Sequence, residues 1–209
     1  MMNFDIKRQE SNSRGHLILR ALFGPIYIGI PYIVVWGIFS IALYFINLIN
    51  FFRLLFTGKY SESAWSWNER MIRWQLRYSA VMGNLVDGYP AIGLNGSHPN
   101  VHFSVPYRED FPNWRVVIRG LWGASMLAPF VFISLFLAIA QSFVSFIAFW
   151  AILFTGQFPE GMFNFVVKVM RFTLRFNVWM TFLTEGYPQL NLQVGEKIVT
   201  DAENKNIKW

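Results

Sequence analysis

Three histidines and no cysteine set the limits of the chemistry this 209-residue chain offers. His98 and His102, with Asp110 beyond them, have the donor types of a divalent-cation site. Their setting is a stretch rich in Gly, Pro and Asn, which reads as solvated loop, and His16 stands alone. Without a thiol there is no disulfide, no thiolate nucleophile and no cysteine metal site. No phosphate loop, nucleophile elbow or dinucleotide fingerprint occurs. Hydroxyls such as Ser66 and Ser104 have no base at an identifiable position. The expectation is a chain with no catalytic residue, no metal and no cofactor.

Arginine is the residue type whose spacing does suggest a contact. Arg70, Arg73 and Arg77 fall with Ser66 on one stripe of a helical reading, and Asn164, Lys168, Arg171 and Arg175 repeat that stripe. Arginines four residues apart face each other and repel unless anions compensate. Glu62, Glu69 and Asp87 are candidate partners for the first set, Glu160 and Glu185 for the second, and lipid phosphate is the candidate from outside. A planar guanidinium suits either a carboxylate or a phosphate. The expectation is therefore forked headgroup or carboxylate contacts at 73, 77, 171 and 175, with plainer ones at Arg70 and Lys168. A net charge of +6 alone fits nucleic acid as well as anionic lipid. With 54% hydrophobic and 14% charged residues, lipid is the partner to expect and nucleic acid is not.

The elements that carry these stripes occur twice. Leu55-Phe56-Thr57-Gly58 leads through Arg73 and Arg77 to Gly88-Tyr89-Pro90, and Leu153-Phe154-Thr155-Gly156 leads through Arg171 and Arg175 to Gly186-Tyr187-Pro188, always 98 residues on. Fainter matches at an offset of 99 (Phe4 with Phe103, Arg20 with Arg119, Gly24 with Gly123) extend the unit upstream. Residues 1–99 form a first repeat, 100–195 a second and 196–209 a charged tail. Ala21 to Phe52 carries no charge and exceeds a bilayer core of roughly 30 Å, while Pro25 and Pro31 favour an interfacial start before a span over about 31–52. The second span runs over about 129–155. Amphipathic helices over about 63–86 and 161–184 are too charged to cross and read as lying in the headgroup plane.

Period-two patterns mark short strands at the repeat boundaries. Asn3 to Arg8 is expected beside Leu190 to Val194, and Ile92 to Leu94 beside Val101 to Val105. The fold class that follows is a mostly α membrane protein with two long transmembrane helices, each followed by an amphipathic interfacial helix, and short strand pairs at the repeat boundaries. One crossing per unit makes this an inverted internal repeat. The competing topology is a pair of hairpins wedged into one leaflet, which places every basic residue on one side. Within the spans Asn47, Asn50, Gln141, Ser142 and Ser145 are expected to hydrogen-bond helix to helix. No ionisable residue occurs in either run, which argues against a coupled transporter.

The repeated Leu-Phe-Thr-Gly opening, the Arg-x-x-x-Arg pair, the Gly-Tyr-Pro ending, Val105-Pro106-Tyr107-Arg108-Glu109 and Trp114-Arg115 resemble a bacterial membrane family catalogued as domain of unknown function 4389. Ser61 departs from the family pattern where Pro159 keeps it, and Gln157 stands where a basic residue is usual. The resemblance implies an integral protein of the bacterial inner membrane and implies no activity. Two functions are expected from the residues: an accessory or scaffold subunit that packs against other membrane proteins or a second copy, or a lipid-interacting, membrane-shaping protein that uses its basic amphipathic helices on anionic headgroups.

Overall fold

The computed structural model describes residues 2–188 and Leu190. In chain order it has β1 (Asn3–Ile6), α1 (Arg14–Gly24), a π-helical turn (Pro25–Gly29), α2 (Ile30–Thr57), α3 (Glu62–Met82), β2 (Val101–Ser104), α4 (Asn113–Thr155) and α5 (Glu160–Met180). The turn joins α1 to α2 without a break, so the first long helix runs from Arg14 to Thr57. α4 passes through Pro129 in the same way. Both long helices thus begin well before the expected spans. A proline removes one amide but leaves the rest of the ladder able to continue around it.

Each long helix stops at the same device. Gly58 and Gly156 take left-handed backbone at φ 67° and 74°, a conformation that a side chain disfavours, and cap the ends of α2 and α4. The preceding Thr57 and Thr155 hydroxyls donate to Arg53 and Ala151 carbonyls at 2.7 Å each and accept from the amides of Lys59 and Gln157. The repeated Thr-Gly is therefore a helix stop and turn. A Cβ at Gly58 would also run into the Asn113 carboxamide.

The two copies close on each other. The Phe111 amide donates to the Gly58 carbonyl at 2.7 Å, and the Asn12 amide donates to the Gly156 carbonyl at 2.8 Å. Asn113 reaches the Leu55 carbonyl where Arg14 reaches that of Phe154. The two amide contacts are the same contact one repeat apart and the two side-chain contacts fall on neighbouring positions of the last helical turn, so an approximate twofold axis relates the copies. It passes through the sheet. β1 and β2 pair antiparallel with Phe4 directly opposite its counterpart Phe103, and Asp5 opposite His102.

Three layers stack along that axis. The sheet buries Phe4, Ile6, Val101 and Phe103 and lies over the middle of α3 and α5. The Trp65 indole donates to the Val105 carbonyl at 3.2 Å, and Arg171 donates to the Phe4 carbonyl at 3.2 Å. Beneath, α3 packs on α2 through Tyr32 against Trp74 and Tyr78 and through Phe39 against Trp67 and Trp74. α5 packs on α4 through Phe130, stacked 4.3 Å from Phe172 and 4.2 Å from Phe176. The outer sides of α2 and α4 form the third surface, and it is uncovered.

The strand pairing corrects the expectation. The partner of β1 is β2, and Ile92 to Leu94 forms no strand. Each repeat contributes one strand to a shared sheet, because antiparallel pairing of equivalent residues closes a twofold without any closing strand. The expected partner at Leu192 and Val194 lies outside the described residues. α3 and α5 end sooner than expected, at Met82 and Met180, each followed two residues on by a residue with positive φ, Asn84 and Phe182.

This register gives a direct test. In the cysteine-free chain, Asp5→Cys with His102→Cys should form an intramolecular disulfide under mild oxidation, read as a gel shift at monomer mass. No cross-link between them would mean that the strands do not meet.

Candidate functional site

The strongest side-chain constellation sits where each amphipathic helix ends. Arg20, 5% exposed, donates to the carbonyls of Val81 at 2.7 Å and Val86 at 2.8 Å and pairs with Asp87 at 2.8 Å. Arg119, its counterpart, donates to the carbonyls of Trp179, Thr184 and Glu185 and lies over the rings of Trp179, Phe111 and Phe182. A helix C-terminus leaves carbonyls without amides. One guanidinium from the preceding long helix satisfies several of them with a single rigid fork. Glu185 departs from Asp87 by turning its carboxylate to Arg108 and Arg115, at 2.9 Å each.

The Gly-Tyr-Pro endings complete the same joint. The Tyr89 hydroxyl donates to the Tyr27 carbonyl at 3.2 Å, and the Tyr187 hydroxyl donates to the Met126 carbonyl at 2.8 Å. Pro31 leaves the Tyr27 carbonyl without its usual i+4 amide, so Tyr89 supplies a donor at that break. In the second copy Pro129 withdraws the amide from the Ser125 carbonyl, and Tyr187 bonds the carbonyl next to it, that of Met126.

The expected arginine stripe resolves into separate contacts. Arg77 is fully buried and donates to the carbonyls of Gly96, Gly93 and Ala91, stitching the 91–96 loop onto α3. Burial, and then the like charge of Arg73, lowers its pKa. Arg73 pairs with Glu69 at 2.8 Å, the carboxylate one turn before it, so Glu69 compensates Arg73 from the side away from Arg77. Arg171 takes the Phe4 carbonyl and ring. Arg70 is exposed, 3.4 Å from the Asn95 carboxamide oxygen, and Lys168 and Arg175 are half-buried on the stripe of α5. At Arg77 and Arg171 backbone carbonyls stand where an anion was expected, because the neighbouring loop and strand fold over the stripe. Of the other candidate acids, Asp87 pairs with the clamp residue Arg20, Glu185 pairs with Arg108 and Arg115, and Glu160 lies 3.8 Å from Arg8.

The expected polar contacts between helices divide by copy. Asn47 and Asn68 exchange carboxamide hydrogen bonds at 2.7 and 3.2 Å, and Asn50 accepts the Ser61 amide at 3.0 Å, so both asparagines of α2 hold α3. In the second copy Ser145 and Val166 replace Asn47 and Asn68 together, and the pair is gone. Ser142 back-bonds to Ala138 at 2.9 Å, and Gln141 faces a cavity. His98 ties loop atoms of Asp87 and Asn100, His102 is exposed on the sheet, and no three metal-ligating groups converge among the described residues.

The uncovered surface of the long helices is the most extensive feature. Exposed side chains run from Ile18 through Ile33, Ile41 and Ile49 to Phe56, and from Trp114 through Leu121, Phe132 and Phe143 to Phe154. Arg14–Thr57, with 44 residues, and Ser125–Thr155, with 31, are long and apolar enough to cross a membrane, and only 6% of each apolar window is buried. A core helix of a soluble domain would be mostly covered.

Fold and surface define a class: a mostly helical protein of membrane type, built from two copies of one unit around an approximate twofold. The chain belongs to the family described as Domain of unknown function (DUF4389), whose model matches residues 17–92 and 113–190. No curated protein and no solved structure matches it. Both matched segments contain the clamp arginine, the amphipathic stripe and the Gly-Tyr-Pro tyrosine.

Arg20 and Arg119 carried no weight as sites in the sequence, although their constant offset was the available signal. Arg20→Gln and Arg119→Gln should each lower stability by about 2 to 4 kcal/mol, through carbonyls left without donors. Arg70→Lys should change it by less than about 0.5 kcal/mol. Thermal unfolding in detergent reads all three, and equal shifts would remove the clamp from the account.

Proposed function

We propose that the chain is a non-catalytic, lipid-interacting membrane protein that lies within one leaflet, with the twofold axis along the membrane normal. One observation carries this reading: the sheet lies on the axis, above the middle of the long helices, while the apolar stripes run their whole length. At 1.5 Å per residue the stripe from Ile18 to Phe56 is about 57 Å long. A bilayer core of roughly 30 Å cannot cover it end to end.

Upright long helices would set the exposed Lys7 and His102 of the sheet and Arg70 of α3 at mid-bilayer depth, each without a buried partner. Charges there cost several kcal/mol each. Laid flat, the same molecule puts α2 and α4 in the hydrocarbon and the sheet in water. The pairing of β1 with β2 agrees, since a single crossing between them would place the strands on opposite sides. This geometry favours the single-leaflet alternative over the inverted repeat.

Basic side chains at the two ends meet the headgroups in this orientation. Arg14 lies at one end, and Arg53, Lys59 and Arg108 at the other, all exposed. Each such charge near an anionic surface contributes about 1 kcal/mol. Two helices sunk in one leaflet expand it relative to the other, which is how an amphipathic wedge shapes a bilayer. The bacterial inner membrane suggested by the family resemblance is a setting consistent with this chemistry. A second reading, an accessory subunit packing against other membrane proteins or a second copy, draws on the row Phe132, Phe136, Phe143, Phe146, Trp150 and Phe154 exposed along α4.

Single cysteines at Lys59 and Gln157, both exposed at opposite ends of the molecule, test the orientation. An impermeant thiol reagent should label both from the same side of sealed vesicles. Labelling from opposite sides would restore one crossing per repeat.

A further inference from the structure

Two cavities lie between the amphipathic pair and the long helices. The larger, about 240 Å³, is lined by Ile72, Gln75, Leu76, Ser79 and Gly83 of the first copy and by Gln141, Val166, Met170, Thr173, Leu174 and Asn177 of the second. The smaller, about 140 Å³, adds Trp36, Ser40 and Leu43 of α2. They are counterparts across the twofold: Gln141 stands where Leu43 does, Thr173 where Gln75 does, and Ser79 where Asn177 does. Ile72, Gln75 and Asn177 border both, so the two form one slot across the axis. No residue of the sheet lines either cavity, and of the loop between α3 and β2 only Gly83, the residue that follows α3, does so.

The polar groups of this slot are conspicuous for what they do not touch. The side chains of Gln75, Ser79 and Gln141 make no hydrogen bond with any described residue, and Asn177 uses only its amide nitrogen, toward the Thr173 carbonyl. Gln75 is exposed and Gln141 half-buried, so both carboxamides are open to a ligand that enters the slot. No charged side chain lines the slot. An ionic head would lose its hydration there without a counter-charge. Carboxamides and hydroxyls instead match carbonyl and hydroxyl oxygens, which need both donors and acceptors. Ile72, Leu76, Val166, Met170 and Leu174 supply apolar walls for the rest.

We propose that the larger cavity binds the uncharged head of a neutral lipid, of the diacylglycerol type, entering from the bilayer between α2 and α4. Gln75 and Gln141 hold its ester and hydroxyl oxygens, while the acyl chains remain among the apolar walls and the surrounding leaflet. Copy divergence makes the site single: Gln141 replaces Leu43, and Val166 replaces the Asn68 that bonds Asn47. The proposal rests on the single-leaflet orientation, which opens the slot to lipid.

The test uses the full chain in phosphatidylcholine nanodiscs containing dioleoylglycerol, with retained lipid counted by native mass spectrometry after release into mild detergent. The wild-type chain should keep one dioleoylglycerol saturably, and Gln75→Leu with Gln141→Leu should reduce retention at least fivefold. Ser142→Leu, outside the cavity, should leave it unchanged. Dioleoylphosphatidylglycerol, with the same tails and an anionic head, should not compete, and water-soluble glycerol diacetate should not bind measurably. Thermal unfolding verifies that each variant is folded. Equal retention by wild type and the double variant, or full competition by the anionic lipid, overturns the proposal. Cysteine labelling of Lys59 and Gln157 reports separately whether the orientation itself has failed.

Discussion

Helix ends and helix breaks leave carbonyls and amides without partners, and the fold of the described residues is organised around supplying those groups. The partners come from across the molecule. Phe111 and Asn12 satisfy the glycine caps of the opposite copy, Arg20 and Arg119 satisfy the ends of α3 and α5, and Tyr89 and Tyr187 bond carbonyls in the turns ahead of Pro31 and Pro129. Neither copy is complete alone: the cap of each long helix and one strand of the sheet belong to the other. Duplication here is thus a structural requirement of the unit and not merely two domains on one chain.

Much of this was legible in the residues, and the limits of legibility are physical. The charge-free runs put the ends of the spans at about 52 and 155, within a few residues of the stops at Thr57 and Thr155, whereas the carbonyl contact of each Gly-Tyr-Pro tyrosine was not legible. Helices α3 and α5 were legible from their period, with their last turn misjudged because Asn84 and Phe182 take positive φ where neither residue signals it strongly. The strand partner was not legible. Period-two patterns show that a strand exists but not which strand it meets, and the twofold that pairs Phe4 with Phe103 is a property of the closed molecule.

The arginines show the same boundary between type and place. Sequence spacing identified a basic stripe that needed compensation, and Glu69 beside Arg73 provides it. Spacing could not reveal that Arg77 is buried beneath its own loop, or that Arg20 is nearly as enclosed, because burial depends on what folds over a helix. Arg20 stands immediately before the uncharged run that begins at Ala21. In the structure it is the group that joins a long helix to its amphipathic neighbour.

A flat molecule and an upright one differ most in how deep each part of a long helix sits. Spin labels placed one at a time at Leu22, Ile33, Ile41, Ile49 and Phe56, all exposed on one apolar stripe, report immersion depth through their relative access to oxygen and to a water-soluble nickel complex. The single-leaflet account predicts closely similar depths at all five positions. A profile that deepens to the bilayer centre near Ile41 and returns to the headgroups at Leu22 and Phe56 would contradict it.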